Sequence, residues 1–396
     1  MARFQPFPGI RYDLTAVDLA RVISPPYDVI DDAQRAELAS RDPHNAVRVD
    51  LPVDEGGRDR YEVARSLLAD WRASGVLVTD ARPTFTVYRM SYRDDAGRPR
   101  HTTGVIGALE LSAPGTDILP HEHTTPKARS DRLDMLRSCR ANLSAIWGLS
   151  LAKGLTDLLP VDAEPTAEVD DGEGVTHAVW VVDDADACAH IAEAVAGHPV
   201  VIADGHHRYE TSLAYRRERE DADGTAGEAA STLAYVVELV EDELTVRGIH
   251  RLVDGLPAGF DAVAALDPWF EALGPPPPGV DLAAAMLDAG ALAAVTPAGT
   301  VLLRPRPEAM ADVRDLDSAR LDAALATLPE HELRFQHGID NVQAAVAGGE
   351  AQLGVVLRPA TVAQIEATAH GGERMPPKTT FFHPKPKTGL VFRDLG

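Results

Sequence analysis

The sequence predicts an α/β (α+β) protein in which mixed sheets carry flanking helices. Apolar runs with strand-like alternation, such as Thr84–Met90, occur between segments with helical spacing of apolar residues, such as Asp59–Ser74. The composition, with 45% hydrophobic and 25% charged residues, is typical of a folded globular protein and excludes a mainly disordered chain. The length of 396 residues predicts two domains, or one large domain with insertions, since a domain has roughly 100–200 residues.

The N-terminal third contains two predicted helices and a hairpin. The acidic pair Asp31–Asp32 predicts a helix start, and this helix continues to Ala39. A second helix covers 59–74 and is followed by Gly75, which is placed to cap it. The alternating strand 84–90 and the return strand 102–111 flank a turn and predict a β-hairpin.

The rest of the chain alternates strands and helices. Helices are predicted at 130–141, 185–196, 209–220, in an Ala-rich stretch after residue 280, and at 317–328 and 363–369. Strands are predicted at 147–151, 176–182, 199–203, 231–239, 244–246, 291–294, 301–303 and 353–357. Gly274–Gly279 encloses four prolines, which favour a stiff surface connection that is either a domain linker or a loop inside a domain.

Charge and the missing features exclude several classes of function. The chain has 38 Lys and Arg against 61 Asp and Glu, a formal net charge of −23, which argues against binding DNA or RNA through phosphate neutralisation. No uncharged apolar stretch reaches 18 residues, so we expect no membrane-spanning segment. The N-terminus lacks an apolar signal core, and Cys139 and Cys188 are the only cysteines, so we expect a cytoplasmic protein without disulfides.

The most informative polar segment is Asp204–Glu210. An apolar strand ends at Ala203, Gly205 allows a tight turn, and a helix is predicted to start near Arg208. A helix N-terminus favours an anion, and the two histidines and the arginine of this segment add donors suited to a nucleotide phosphate. No Walker P-loop sequence occurs. The alternative is structural, with Asp204 capping the helix and the histidines packing.

A second cluster lies between the hairpin and the next helix. His121 and His123 occupy alternate positions, and they either ligate a metal or bind phosphate or substrate together with Lys127 and Arg132. Glu122 is a candidate general base or an oxygen ligand for Mg²⁺. A solvated loop is the structural alternative.

Two further segments are less specific. Ser24–Val29 contains two prolines beside Tyr27 and Asp28, which either contribute to a site or form a rigid turn packed on the core. The C-terminal tail is basic and aromatic, and either Lys378 or Lys385 reaches the site or the tail is solvated.

The motifs together resemble a known family. They are Ser24–Val29, His121–Thr124 with Pro126–Lys127 and Asp131–Arg132, Ile202–Thr211, and Met375–Phe382 with Pro384–Pro386. This set resembles the DUF1015 family of conserved proteins of unknown function, and it spans most of the chain. Two departures are visible: Ala145 stands where the family usually has proline, and Thr379 stands where it often has serine. Neither departure removes a plausible catalytic group.

The resemblance implies a function. Asp204–Arg208 looks like the phosphate-binding signature of ParB/sulfiredoxin-type nucleotide-binding proteins, some of which phosphorylate free serine. The resemblance therefore implies a ParB/sulfiredoxin-like nucleotide-binding core plus an additional domain. It also implies an ATP-dependent kinase that acts on a small hydroxylated molecule, with free L-serine as the leading candidate and with Mg²⁺ and ATP, or ADP, as cofactors.

This hypothesis assigns roles to the candidate residues. The catalytic candidates are Asp204, Glu122, Lys127 and Arg132, and Glu122 is also the metal candidate. The nucleotide- and phosphate-binding candidates are Gly205, His206, His207 and Arg208. The substrate-binding candidates are Tyr27, Asp28, His121, His123, Glu210 and Lys378. The sequence does not separate the proton acceptor from the Mg²⁺ ligand between Asp204 and Glu122.

Two other classes of function stay open. One is a metal-dependent phosphohydrolase with His121, His123, His206 and His207 as ligands, and the other is a non-enzymatic nucleotide-binding regulator. The partners we expect are a nucleotide and a small hydroxylated metabolite, with no nucleic acid and no membrane, and a homodimer is left open. Residues 1–250 form the expected motif-bearing region, and 251–396 form a second α/β region whose basic tail, 375–390, returns to the site.

Overall fold

The chain divides into two units. The computed structural model describes residues 3–94, 97–113, 115, 117–120, 129–371, 375–376 and 378–396. Unit 1 comprises Met1–Thr245 and Pro384–Gly396, and unit 2 comprises Val246–His383. The sequence predicts a single boundary near residue 250, whereas in the structure the C-terminal segment Pro384–Gly396 belongs to unit 1.

Both units contain α-helices and β-strands. The helices are α1 Leu19–Val22, α2 Asp32–Arg41, α3 Val47–Asp50, α4 Arg60–Ala73, α5 Arg129–Cys139, α6 Ala185–Ala196, α7 His206–Asp223, α8 Ala262–Ala265, α9 Leu282–Ala289, α10 Asp317–Leu325, α11 Ile339–Ala347 and α12 Val362–His370. The strands are β1 Phe4–Gln5, β2 Ile10–Tyr12, β3 Leu77–Thr79, β4 Phe85–Arg93, β5 Pro99–Glu110, β6 Ile118–Pro120, β7 Ala141–Asn142, β8 Ile146–Ser150, β9 Ala167–Asp170, β10 Thr176–Val182, β11 Val200–Asp204, β12 Ser231–Glu238, β13 Thr245–Gly248, β14 His250–Asp254, β15 Phe270–Gly274, β16 Leu292–Thr296, β17 Gly299–Pro305, β18 Glu332–Gln336, β19 Leu353–Val356, β20 Thr380–His383 and β21 Arg393–Asp394.

Local sequence signals explain where several helices begin. Helix α2 starts with a capping box, in which the Asp31 carboxylate accepts from the Gln34 N–H and the Gln34 side chain accepts from the Asp31 N–H. The Asp59 carboxylate caps α4 by accepting from the first-turn N–H groups. Strand β10 and helix α6 have the predicted bounds. Helix α7 begins at His206, earlier than predicted, because Gly205 makes the turn on its own.

Unit 1 is built on a nine-stranded mixed sheet. Its order is β6-β11-β8-β12-β5-β4-β10-β9, and β1 pairs with β5 outside this path. The β11–β6 and β12–β8 pairs are parallel. The other neighbouring pairs are antiparallel, namely β11–β8, β12–β5, β5–β4, β4–β10 and β10–β9. The predicted hairpin is confirmed as β4 and β5. Strand β11 lies between β6 and β8, so its apolar residues are buried. Its last residue, Asp204, lies at the carboxyl end of the strand, just before α7 begins.

Unit 2 is built on a six-stranded antiparallel sheet of order β15-β17-β16-β19-β14-β18. Successive residues of a strand face opposite sides, so Leu252 packs with residues of α9 and α11 while Val253 packs with residues of α8 and α10. The proline run 275–278 connects β15 to α9 within this unit. It is therefore a loop inside a domain and not a domain linker.

The mixed α/β class predicted from the sequence is confirmed, since several sheets carry helices on their faces. Each helix in the described ranges is either too short or too polar to cross a lipid bilayer.

Candidate functional site

The junction of β11 and α7 forms the centre of the candidate site in unit 1. Gly205 adopts a left-handed conformation with φ 86° and ψ 28°, and its carbonyl accepts the Tyr209 N–H at 2.9 Å. A glycine N-cap has no side chain to place over the first-turn amides of α7. The positive end of the helix dipole therefore faces the side chains that surround this junction.

Asp204 is held between two cations. Its Oδ2 accepts from Arg208 Nη2 at 2.7 Å, and its Oδ1 accepts from Lys385 Nζ. Burial alone would raise the pKa of this carboxyl, but Lys385 and Arg208 outweigh burial and hold the pKa well below its usual range. The alternative in which Asp204 caps α7 is wrong, because Gly205 is the N-cap and the carboxylate faces the cations instead.

Arg208 connects three parts of unit 1. Its Nη1 donates to the carbonyl of Ala145, and its Nη2 lies 3.6 Å from Asp28 Oδ2. The guanidinium lies 5.9 Å from the ring centre of Tyr27. Burial would lower the pKa of Arg208, but Asp28 and Asp204 raise it above its ordinary value. Ala145 stands where the family usually has proline, and the hydrogen bond to Arg208 is possible with either residue, because both have a backbone carbonyl.

Arg132 packs against the ring of Tyr27 on one side of the site. Its guanidinium stacks 4.0 Å from the ring centre of Tyr27, its Nη1 donates to the Asp50 carbonyl at 2.7 Å, and its Nη2 donates to Asp131 Oδ2 at 2.8 Å. Burial raises the pKa of Tyr27 to about 12, so its hydroxyl stays protonated and the ring acts as a platform between Arg132 and Arg208.

Sequence reasoning missed Asp50. It ends the short helix α3, and its side chain is 3% exposed, with Oδ1 3.5 Å from Arg132 Nη1 and Oδ2 accepting from the Thr388 hydroxyl at 3.3 Å. Burial raises the pKa of this carboxyl, and the nearby arginines only partly oppose the effect. No motif or periodic signal distinguishes Asp50 from the other aspartates of the chain.

The C-terminal segment Pro384–Thr388 brings Lys385 to the site. Prolines on both sides of Lys385 fix an extended backbone, and the Ser24 and Thr388 backbones exchange hydrogen bonds at 3.1 and 2.8 Å. Lys387 makes a second buried ion pair, with Nζ 2.8 Å from Asp171 Oδ2. Two lysines two residues apart therefore tie this segment to two different carboxylates.

The Lys387 pair continues into a buried hydrogen-bonded chain. Asp171 Oδ2 lies 3.1 Å from His177 Nε2, and His177 Nδ1 lies 2.7 Å from the Tyr88 hydroxyl. Burial is the largest effect on His177 and lowers its pKa, so the imidazole is neutral at neutral pH. These groups anchor the segment that carries Lys385.

The structure brings together many of the candidates expected from sequence. Seven of them surround the junction of β11 and α7 in unit 1, namely Tyr27, Asp28, Arg132, Asp204, Gly205, His206 and Arg208. His207 and Glu210 are half-buried near the start of α7. Lys378 is an exposed residue of unit 2 with φ 58°, and Lys385 is the tail lysine that contacts Asp204. His121, Glu122, His123 and Lys127 lie outside the described residues.

Glycine at position 205 supports this geometry. A Cβ there would lie 3.0 Å from Arg208 Nε and 3.1 Å from its Cζ, and the left-handed φ disfavours any L side chain. We expect Gly205→Ala to lower the free energy of unfolding by about 1–2 kcal/mol and to displace the Arg208 guanidinium. Denaturant unfolding measures the effect, with Gly224→Ala, at another left-handed cap with open space around its Cβ, as the control. An equal decrease in the free energy of unfolding in both variants would mean that backbone strain, and not the contact with Arg208, causes the destabilisation.

A family model described as "protein of unknown function (DUF1015)" matches residues 4–323. The match covers most of the sequence, so the chain belongs to the DUF1015 family. No curated protein has a significant sequence match to the chain.

Solved structures with similarity to this chain include three of interest. A conserved hypothetical protein from Pyrococcus furiosus has 12% identity and a TM-score of 0.37, covering 74% of this chain and 95% of its own. A mutant of free serine kinase in complex with ADP has 12% identity and a TM-score of 0.38, with 73% and 92% covered. SbnI with a C-terminal truncation, from Staphylococcus aureus, has 11% identity and a TM-score of 0.40, with 72% and 86% covered.

Proposed function

We propose that this chain is a kinase that transfers a phosphoryl group from ATP or ADP to the hydroxyl group of a small metabolite, with free L-serine as the leading acceptor. The observation that carries the proposal is Asp204, held ionised between Arg208 and Lys385 at the start of α7. The ParB/sulfiredoxin-like nucleotide-binding core implied by the DUF1015 motifs is part of the same proposal.

The charges of the site suit phosphoryl transfer, which depends on positioning and charge stabilisation. Arg132, Arg208 and Lys385 supply positive charge, while Asp28 and Asp204 supply carboxylates beside them. The phosphohydrolase alternative uses His121, His123, His206 and His207 as metal ligands, and the first two lie outside the described residues. Analysis of the purified protein for tightly bound transition metal separates that alternative from a kinase that uses Mg²⁺.

The nucleotide phosphates fit the start of α7. The first-turn N–H groups and the dipole favour an anion there, and His206, His207 and Arg208 lie on the same turn. In this proposal Arg208 and Lys385 move from the Asp204 carboxylate to phosphate oxygens when the nucleotide binds. Lys127 and Arg132 stabilise the transferred group, and Lys127 belongs to the segment outside the described residues.

In this proposal a magnesium ion binds Glu122, which belongs to the segment outside the described residues. Mg²⁺ is usually bound by one or two carboxylates together with phosphate oxygens and water, so one protein carboxylate is enough. This leaves Asp204 free to accept a proton and Asp28 free to bind the acceptor molecule. When bound, Mg²⁺ neutralises charge on the nucleotide phosphates.

Asp204 is the proposed proton acceptor. The acceptor hydroxyl oxygen forms the new bond to phosphorus, the bond from phosphorus to the nucleotide breaks, and the hydroxyl proton passes to Asp204. Once phosphate oxygens draw Lys385 and Arg208 away, the carboxylate loses the cations that lower its pKa and becomes a stronger base. The Asp28 carboxylate, with a side chain 37% exposed, is available for the ammonium group of an amino acid acceptor.

Product formation tests this function. We expect the purified full chain, incubated with Mg-ATP or Mg-ADP and a panel of amino acids and polyols, to produce O-phosphoserine detectable by mass spectrometry. Reactions without acceptor measure simple hydrolysis. Release of phosphate with no phosphorylated product from any acceptor would contradict the kinase proposal.

A further inference from the structure

Unit 2 contains a cavity of about 430 Å³. Its walls come from the ends of β17 and α9, from the segment after β19, and from the first residues of α10 and α12. A volume of this size matches pockets that hold small molecules, which are typically about 300–1,000 Å³. All of its lining residues belong to unit 2.

Arginines outnumber carboxylates in the lining of this cavity although the chain is strongly acidic. Its lining contains three arginines, Arg304, Arg320 and Arg358, against two aspartates, Asp315 and Asp317. In a chain with a formal net charge of −23, such a local excess of guanidinium groups is unexpected for a surface that only needs to be soluble.

One buried carboxylate holds two of the arginines in place. Asp317 Oδ2 accepts from Arg358 Nε at 2.9 Å and its Oδ1 accepts from Arg358 Nη2 at 2.6 Å, which is a bidentate pair. Asp317 Oδ1 also lies 3.6 Å from Arg320 Nη1. One buried negative charge therefore serves two guanidinium groups, and the second positive charge is balanced only by the exposed Asp315.

The other two partners of these arginines are exposed. Arg320 Nη2 pairs with Asp315 at 2.7 Å, and the Asp315 side chain is 76% exposed. Arg304 Nη2 pairs with Glu271 at 2.8 Å, and both side chains are about half-exposed. Exposed ion pairs are weak, so a ligand can replace these carboxylates at little cost. Within the described part of the chain, Arg320 Nε is buried and has no hydrogen-bond partner.

We propose that this cavity binds a small molecule through an oxyanion group, either a carboxylate or a phosphate, held by Arg304, Arg320 and Arg358. Guanidinium groups bind planar carboxylates and phosphates through paired N–H donors. Arg304 and Arg320 supply these donors when the ligand displaces the exposed Glu271 and Asp315, and Arg358 adds positive charge while it stays paired with Asp317. The hydroxyls of Ser318 and Thr379, which lie 2.9 Å apart in the same wall, add polar groups that orient the rest of the ligand. This site is independent of the proposed kinase activity of unit 1.

Calorimetric titration of the full chain tests the site, with inorganic phosphate and succinate as separate probes. We expect saturable binding of at least one probe, and a loss of affinity of about tenfold or more in Arg320→Gln and in Arg304→Gln, since each removes charge-assisted hydrogen bonds. Phosphate binding alone identifies a phosphorylated ligand, and succinate binding alone identifies a carboxylic acid.

Two controls make the result decisive. Arg306→Gln removes an arginine two residues after Arg304 that pairs with Asp267 at 2.8 Å but does not line the cavity, so its affinity should equal that of the unmodified protein. Arg208→Gln separates phosphate binding in unit 1 from binding in unit 2, and the unit 2 signal should persist in it. If Arg320→Gln fails to fold, the half-exposed Arg304→Gln still decides the question. Absence of saturable binding of both probes, or binding unchanged in Arg304→Gln and Arg320→Gln, would overturn the proposal.

Discussion

Replacing Arg208 by alanine is expected to abolish nucleotide binding, with an affinity loss of at least about a hundredfold. The guanidinium contributes charge-assisted hydrogen bonds at the start of α7, and each bond of this kind is worth roughly 1.5–3 kcal/mol. The substitution also leaves the Ala145 carbonyl without this donor and removes one of the two cations that hold Asp204. Calorimetry with Mg-ATP and Mg-ADP measures the loss.

The matched control is Arg219→Ala on the same helix. Arg219 pairs with Asp223 at 2.6 Å, with the same four-residue spacing as Arg208 and Asp204, but its side chain is 30% exposed. We expect that variant to bind nucleotide normally. Arg208→Lys, which keeps the charge and loses the paired donors, should give an intermediate affinity. Unchanged nucleotide binding in a folded Arg208→Ala variant would remove α7 from the nucleotide site.

Much of the candidate site could be predicted from sequence because its members stand in short motifs. Asp204, Gly205 and Arg208 belong to one strand–turn–helix junction, whose period change from strand to helix is visible in the residues themselves. Asp50 could not be found in this way, since its importance comes from burial beside Arg132 and not from any pattern near residue 50. The choice of Lys385 over Lys378 depends on which unit each residue joins, and local sequence does not encode that.

For the fold as well, local sequence predicts individual elements, whereas contacts between distant residues decide how the elements are arranged. Strand β10 follows from its short run of β-branched and aromatic residues, and helix α6 from the Asp184 cap, whose carboxylate accepts from the Ala187 N–H. The order of strands in the sheet of unit 1 could not be predicted. Residues far apart in sequence decide it, as when Ile118 pairs with Val200, and the return of 384–396 to unit 1 depends on similar long-range contacts.

Replacing Lys385 by glutamine is expected to lower kcat/KM for product formation by about 10²–10³-fold, the usual cost of removing one positioned donor from a developing negative charge. Lys385 also lowers the pKa of Asp204, so its loss should raise that pKa. A carboxylate with a higher pKa becomes protonated at higher pH. The acid limb of the pH profile of kcat/KM, which reports the free enzyme, should therefore move to higher pH in Lys385→Gln. Lys385→Arg should partly restore both the rate and the profile.

Lys387→Gln provides the comparison that separates chemistry from anchoring. Lys387 lies two residues from Lys385 in the same segment and makes an ion pair with Asp171 at 2.8 Å, with a side chain as buried as that of Lys385. Its loss should lower the free energy of unfolding, because the buried Asp171 then loses its cation and keeps His177 and the N–H groups of Glu173 and Val175 as partners. The folded Lys387→Gln protein should keep the acid limb of the unmodified enzyme. If both variants shift the limb equally, Lys385 acts by holding the segment, and if neither does, Asp204 is not the group that titrates in the reaction.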